Sequence, residues 1–153
     1  MLRTLALAVA VLLLTATGAA AAGNATASLT SSSAARHAGL TLVLKPAVLR
    51  CGRPSARSLS ITLPRSMHVP ATIPRAAVSV GGRPVGAVKT DGTTIVLSLA
   101  TPRIECDSIV IGALRVGLTR AAGLVNPARA GTYAFSVAAS PRGTAWHGSL
   151  VVR

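Results

Sequence analysis

Apolar and polar residues alternate along most of this chain with a period of two. In the segment 58–63, Leu59, Ile61 and Leu63 alternate with Ser and Thr, which is the pattern of a strand with one buried and one exposed face. Comparable runs predict strands at 40–44 with an extension to 50 past Pro46, 58–63, 77–80, 85–89, 93–99, 108–116, 133–138 and 145–152. No segment beyond the first 22 residues places apolar residues at helical spacing for three turns. About eight short strands at intervals near ten residues predict a β-sandwich.

Turn signals separate these strands. Gly81-Gly82 and Asp91-Gly92 have the composition of hairpin turns. Three prolines between positions 64 and 74 exclude a helix and predict a long crossing loop. In the segment 108–116, Ile109, Ile111 and Ala113 fall on one side of the predicted strand.

The first 22 residues predict a secretory signal peptide. A short positive start at Met1-Leu2-Arg3 precedes an apolar run, and Ala20 and Ala22 fit the small-residue rule for cleavage near Ala22. An uncleaved anchor is the alternative, because the apolar stretch approaches spanning length. The domain prediction is therefore 1–22 signal peptide, 23–38 flexible leader rich in Ala, Ser and Thr, and 39–153 folded domain. The expected location is extracellular or in the cell envelope, with no membrane span after cleavage.

The chain has two cysteines, Cys51 and Cys106. In an exported protein an isolated pair predicts one disulfide, which would contribute on the order of 4 kcal/mol for so long a loop. Two free thiols, or half of a metal site, are the alternatives. The three histidines show no ligand spacing to either cysteine, so no metal site is predicted.

The charge balance is strongly basic, with 16 Lys and Arg against 3 Asp and Glu. The arginines are scattered singly instead of forming the runs of a basic tail. A GC-rich genome explains this composition, whereas a surface that binds anionic polymers is the functional alternative.

Four motifs resemble an immunoglobulin-like β-sandwich repeat of bacterial secreted and cell-surface proteins. They are SITLP at 60–64, VSVGG at 78–82, GTTIVL at 92–97 and NPARAGTY at 126–133. The resemblance covers about residues 40 to 153 and implies a sandwich of about seven to eight antiparallel strands. These are turn and strand signatures, so they indicate a fold and say almost nothing about activity.

Leu124, Pro127, Gly131 and Tyr133 also resemble a tyrosine corner. In such a corner the tyrosine hydroxyl bonds to upstream backbone and fixes a crossover between strands. The cysteines depart from the antibody pattern, because they do not flank a strand tryptophan. A disulfide between them is therefore not expected to be the one that antibody domains share.

The residues offer little chemistry. There is no G-x-S-x-G elbow, no Gly-rich phosphate loop after a strand, and no cofactor motif. A lone histidine such as His68 or His147 is usually a surface or packed residue. Trp146 has the same parity as Leu150 and Val152, which predicts a core ring. The alternative is an exposed contact site formed by Trp146, Arg142 and His147.

The sequence therefore predicts a secreted, non-catalytic, immunoglobulin-like module for binding, adhesion or scaffolding at the cell envelope, with envelope proteins as partners. The alternative is a basic secreted binder of anionic polymers such as a wall polymer, an acidic glycan or extracellular DNA. A hydrolase would require a pocket that joins a histidine, a carboxylate and a hydroxyl.

Overall fold

The computed structural model describes residues 22–100, 108–141 and 143–153. These residues form eleven β-strands and two short 3₁₀ turns. The strands are β1 (Ala22–Leu29), β2 (Leu40–Arg50), β3 (Arg53–Pro54), β4 (Ser58–Thr62), β5 (Val78–Val80), β6 (Arg83–Pro84), β7 (Ala87–Asp91), β8 (Thr94–Ser98), β9 (Ile109–Leu118), β10 (Gly131–Ser140) and β11 (Ala145–Val152). The 3₁₀ turns are η1 (Arg75–Ala77) and η2 (Arg120–Ala122). The predicted all-β class is confirmed.

All eleven strands belong to one curled sheet. Its order is β6-β5-β9-β2-β1-β11-β10-β4-β8-β7, and β3 pairs with β2 beside this path. Strands β1 and β11 run parallel and join two halves whose other described pairs are antiparallel. The predicted sandwich of seven to eight strands differs from this arrangement. The difference arises partly because β3 and β6 are two residues long, too short to leave a periodic signal.

The core forms where the inner faces of the two halves meet. Strand β2 contributes Leu40, Leu42 and Leu44, and all three side chains are fully buried. The other half contributes Leu59, Ile61, Ile95 and Leu97, which are also fully buried and belong to the same cluster. Every second residue of these strands is buried, because side chains on a strand alternate between the two faces of a sheet. The alternation read from residues 58–63 and 93–99 therefore marks the core.

The prediction of a flexible leader at 23–38 is wrong for residues 23–29, because the structure has a strand at Ala22–Leu29. These residues form β1, which is hydrogen-bonded to β2 on one side and to β11 on the other. The folded domain therefore begins well before residue 39. Alanine, serine and threonine carry little hydrophobic contrast, so the alternation in β1 is weak, and the backbone ladders on both of its sides decide the conformation.

The rest of this segment is held by the buried side chain of Asn126, which is 3% exposed. Its Nδ2 group donates hydrogen bonds of 2.8 Å to the carbonyls of Ser31 and Ser33. Its backbone N–H donates to the carbonyl of Arg36 at 2.9 Å. Because a buried amide group needs acceptors, Asn126 ties the segment that follows β1 to the loop before β10, together with backbone hydrogen bonds from Ala35 to Pro127 and from Ala38 to Leu124.

The predicted hairpin turns are present. Gly81, Gly82 and Gly92 all have positive φ, at 59°, 74° and 56°. They connect β5 to β6 and β7 to β8, where glycine adopts this conformation without steric cost.

Residues 1–21 of the predicted signal peptide lie outside the described residues, so the signal peptide stays a prediction. Among the described residues, no helix is long and apolar enough to span a membrane.

Candidate functional site

Strands β2 and β9 extend together beyond the core and form an apolar projection. We define the apolar ribbon as residues 47–50 of β2, β3, and residues 109–112 of β9. Ala47 to Arg50 pair with Gly112 to Ile109, and β3 pairs with the other side of β2. The ladder shifts register between Leu44 and Ala47, so a bulge separates the ribbon from the part of β2 that lies in the core.

Three consecutive aliphatic side chains of the ribbon face solvent. Ile109, Val110 and Ile111 are 62%, 57% and 73% exposed. Consecutive side chains on a strand point to opposite faces, so both faces of β9 are open to solvent here. Farther along the same strand, Leu114 and Val116 are buried at 2% and 0%. The strand therefore changes from an exposed apolar end to an ordinary core strand within a few residues.

A small apolar groove lies against the ribbon. Its volume is about 130 Å³, and its lining includes Ala47, Val48, Ala56, Ile111 and Trp146. The indole of Trp146 is 4% exposed, and its Nε1 donates a hydrogen bond of 2.9 Å to the carbonyl of Pro46. The ribbon and the groove together form one apolar surface at this end of the molecule.

Sequence reasoning missed this surface. It assigned Ile109, Ile111 and Ala113 to one side of a strand; the structure exposes all three, and on the opposite parity burial begins only at Leu114. The available signal was the unbroken run Ile109-Val110-Ile111. Such a run departs from alternation and places apolar side chains on both faces of a strand.

The predicted contact site around Trp146 is not supported for the tryptophan itself. Trp146 is a buried core ring, so it cannot offer its face to a partner. This burial agrees with its parity with Leu150 and Val152, which are also buried. His147 is exposed on the opposite face of β11, and Arg142 lies outside the described residues.

The residues of the predicted tyrosine corner lie together before and within β10. The Tyr133 hydroxyl donates a hydrogen bond of 2.8 Å to the carbonyl of Arg129, four residues upstream. Leu124 and Pro127 are buried, and Gly131 packs against the Tyr133 ring, since a Cβ on Gly131 would lie 3.5 Å from the ring edge. That this corner locks the crossover stays a prediction.

The predicted Cys51–Cys106 disulfide also stays a prediction, because Cys106 lies outside the described residues. Cys51 lies at the tip of the ribbon, in the turn between β2 and β3. Its backbone N–H donates to the carbonyl of Ser108 at 3.4 Å. This hydrogen bond holds the turn after β2 close to the residue that precedes β9.

The histidines of the sequence do not assemble into a site. His37 and His68 both form backbone bridges to Val125, while His147 lies on β11, and all three side chains are exposed. Within the described residues, no group of three or more His, Cys, Asp or Glu side chains could hold a metal ion.

Comparison with known proteins shows similarity of fold. No protein-family model and no curated protein match the chain. The structure is similar to that of BslA, described as a bacterial hydrophobin, with a TM-score of 0.52 and 19% identity over 86% of this chain and 97% of that one. It is similar, with a TM-score of 0.41 and 14% identity, to the major pilin SpaA of Corynebacterium diphtheriae, over 76% of this chain and 31% of that one.

A third similar structure contains manganese lipoxygenase of Gaeumannomyces graminis and part of zonadhesin of Komagataella pastoris. Its TM-score is 0.42 and its identity 12%, over 84% of this chain and 45% of that one. This chain therefore spans less than half the length of the second and third structures, and nearly all of the first.

Proposed function

We propose that this chain is an exported, non-catalytic protein of the cell envelope. Its immunoglobulin-like β-sandwich presents the apolar ribbon, which adsorbs at the interface between water and an apolar phase. The observation that carries the proposal is the exposure of three consecutive aliphatic side chains, Ile109, Val110 and Ile111, since Val151 is the one other large hydrophobic side chain exposed among the described residues. Contiguous exposed apolar surface marks a contact or adsorption site. The likeness to a bacterial hydrophobin supports the fold on which this surface is carried.

The charge distribution fits an amphiphilic particle. The formal net charge of the chain is +13, which keeps most of its surface in water. Arg50 and Arg53 lie at the tip of the ribbon and give the apolar surface a charged rim. Adsorption of the ribbon would remove three large aliphatic side chains from water, each worth on the order of 1–2 kcal/mol.

The test is the rate at which the protein lowers the surface tension of water, measured by pendant-drop tensiometry. Val110→Lys should delay the fall in tension by about tenfold or more, because lysine at this position would have to be desolvated on adsorption. The same effect is expected for Ile111→Lys.

Val151→Lys is the matched control. Val151 is 51% exposed on β11, close to the 57% of Val110, but it is isolated from the ribbon. The control should adsorb like the unmodified protein. Equal behaviour of Val110→Lys and Val151→Lys would refute the proposal, provided that circular dichroism shows both variants folded.

A further inference from the structure

A second surface feature lies apart from the ribbon's exposed aliphatic residues. Arg53 of β3, Arg75 of η1 and Arg83 of β6 all line one cavity of about 400 Å³, which we call the basic cleft. The turn between β2 and β3 and the hairpin between β5 and β6 approach each other here. A Cβ on Gly81 would lie 3.9 Å from the carbonyl of Gly52. Three separate elements thus bring their arginines to one opening.

Among the described residues, no carboxylate lines the cleft to balance its positive charge. Asp91, the one carboxylate side chain among the described residues, lies at the end of β7 and does not line the cleft. Within the described part of the chain, none of the three arginines forms an ion pair, and Arg75 donates only a long 3.5 Å hydrogen bond to the carbonyl of Gly86. Guanidinium groups that form no ion pair can donate their N–H groups to the oxygen atoms of a bound oxyanion.

The rest of the lining is aliphatic. Val80 and Val85 are buried beneath the opening at 5% and 2%, and Pro54, Pro84 and Leu99 complete the wall. No tyrosine, phenylalanine or tryptophan lines the cleft. Binding of single-stranded nucleic acid relies on stacking of bases on aromatic rings, so this lining does not favour nucleic acid.

We propose that the basic cleft binds the oxyanions of a non-aromatic acidic polymer, in which phosphodiester or carboxylate groups are spaced along a polyol or sugar backbone. The arginines would bind the oxyanions and the aliphatic wall would contact the carbon backbone between them. This goes beyond adsorption of the apolar ribbon, because it uses arginine side chains and charge attraction where adsorption uses the exposed aliphatic residues 109–111, although Arg53 lies at the border of both surfaces.

The test is isothermal titration calorimetry with three probes: poly(glycerol phosphate), polygalacturonate and a single-stranded DNA oligonucleotide. The variant Arg53→Gln/Arg75→Gln/Arg83→Gln should lose about tenfold or more in affinity for at least one of the first two polymers. The slope of log K against log salt should fall by about two to three, because fewer counterions are released from the polymer.

The matched control is Arg36→Gln/Arg65→Gln/Arg129→Gln, which removes the same three charges from exposed positions outside the cleft. The control should lose less than about twofold. Equal losses in the two triple variants would show attraction by net charge alone and would overturn the proposal, as would unchanged binding by the cleft variant. Tighter binding of DNA than of both polymers would overturn the assigned ligand class. Each of these results is independent of the tension measurements on the ribbon.

Discussion

At the residue scale, Gly148 occupies the tightest contact in the seam between the two halves of the sheet. A Cβ at this position would collide with the carbonyl oxygen of Ala25, and it would lie 2.7 and 2.9 Å from two atoms of the Phe135 ring. Ala25 belongs to β1 and Phe135 to β10, which lie on the two sides of β11 in the sheet. Only a residue without a side chain allows the three strands to pack this closely.

Gly148→Ala should therefore destabilise the protein by about 3 kcal/mol or more, or prevent folding, because backbone cannot move aside as a flexible side chain can. Urea unfolding followed by circular dichroism measures the effect. Gly112→Ala is the control, since it is also a strand glycine and its nearest neighbour, Cδ1 of Leu49, is 3.5 Å from the added Cβ. A cost below about 0.5 kcal/mol for both variants would contradict the close packing of β1 and β11.

At the scale of elements, β1 joins the two halves of the sheet. It pairs with β2 over six residues, from Asn24 to Leu29, and with β11 over three, from Ala22 to Asn24. Few of its side chains are deeply buried, with Ala25 at 7% as the deepest described. Its contribution is therefore mainly the two backbone ladders, which pair residues 40–45 of β2 and residues 145–147 of β11 along edges that would otherwise be open.

A chain that begins at Leu40 should fail to fold cooperatively, whereas one that begins at Gly23 should fold. Without β1, one edge each of β2 and β11 would be left unpaired, and the Asn126 amide would lose the carbonyls of Ser31 and Ser33. Thermal unfolding of the two purified chains, monitored in the far and near ultraviolet, distinguishes them. Equal midpoints for the two chains would restore the interpretation of residues 23–38 as a flexible leader.

The apolar ribbon is the second element whose role differs from that of the core. It includes the ends of β2 and β9 that lie past the bulge, where Ala47 of β2 is still buried but Ile109, Val110 and Ile111 of β9 are exposed. The same two strands thus hold the core together at Leu42 and Val116 and present an apolar surface at Ile111. A change at the exposed end should therefore alter adsorption more than stability.

At the scale of the whole molecule, positive charge dominates. The formal net charge is +13, and 16 basic residues face only 3 acidic ones. Compaction brings these like charges closer together, and their repulsion opposes folding. Salt screens this repulsion over a distance of about 10 Å at 0.1 M.

Raising NaCl from about 10 mM to 300 mM should therefore increase stability by about 1 kcal/mol, or roughly 4 °C in Tm. Differential scanning calorimetry at constant pH measures this change. Sodium sulfate at equal ionic strength should raise the Tm of the unmodified protein more than that of Arg53→Gln/Arg75→Gln/Arg83→Gln, because the general stabilising effect of sulfate acts on both proteins whereas binding in the basic cleft acts only on the first. A Tm that falls or stays constant with NaCl would contradict the repulsion.

The sequence by itself determined the all-β class, since leucine, isoleucine and valine at every second position of 58–63 and 93–99 can be buried together only on one face of a strand. It also placed Trp146 in the core through its parity with Leu150, and it located the glycine hairpins. Such features depend on neighbours along the chain, so a local pattern is enough to show them.

Only the tertiary structure decided the role of β1, the exposed ribbon and the basic cleft. β1 is a strand because of ladders to partners that lie far away in sequence, and its small side chains carry almost no periodic signal. The exposure of residues 109–111 could not be predicted from the sequence, because an aliphatic run has the same pattern whether or not another element covers it. Arg53, Arg75 and Arg83 are isolated in sequence and meet only because the sheet curls, since proximity between distant residues is a property of topology and not of local pattern.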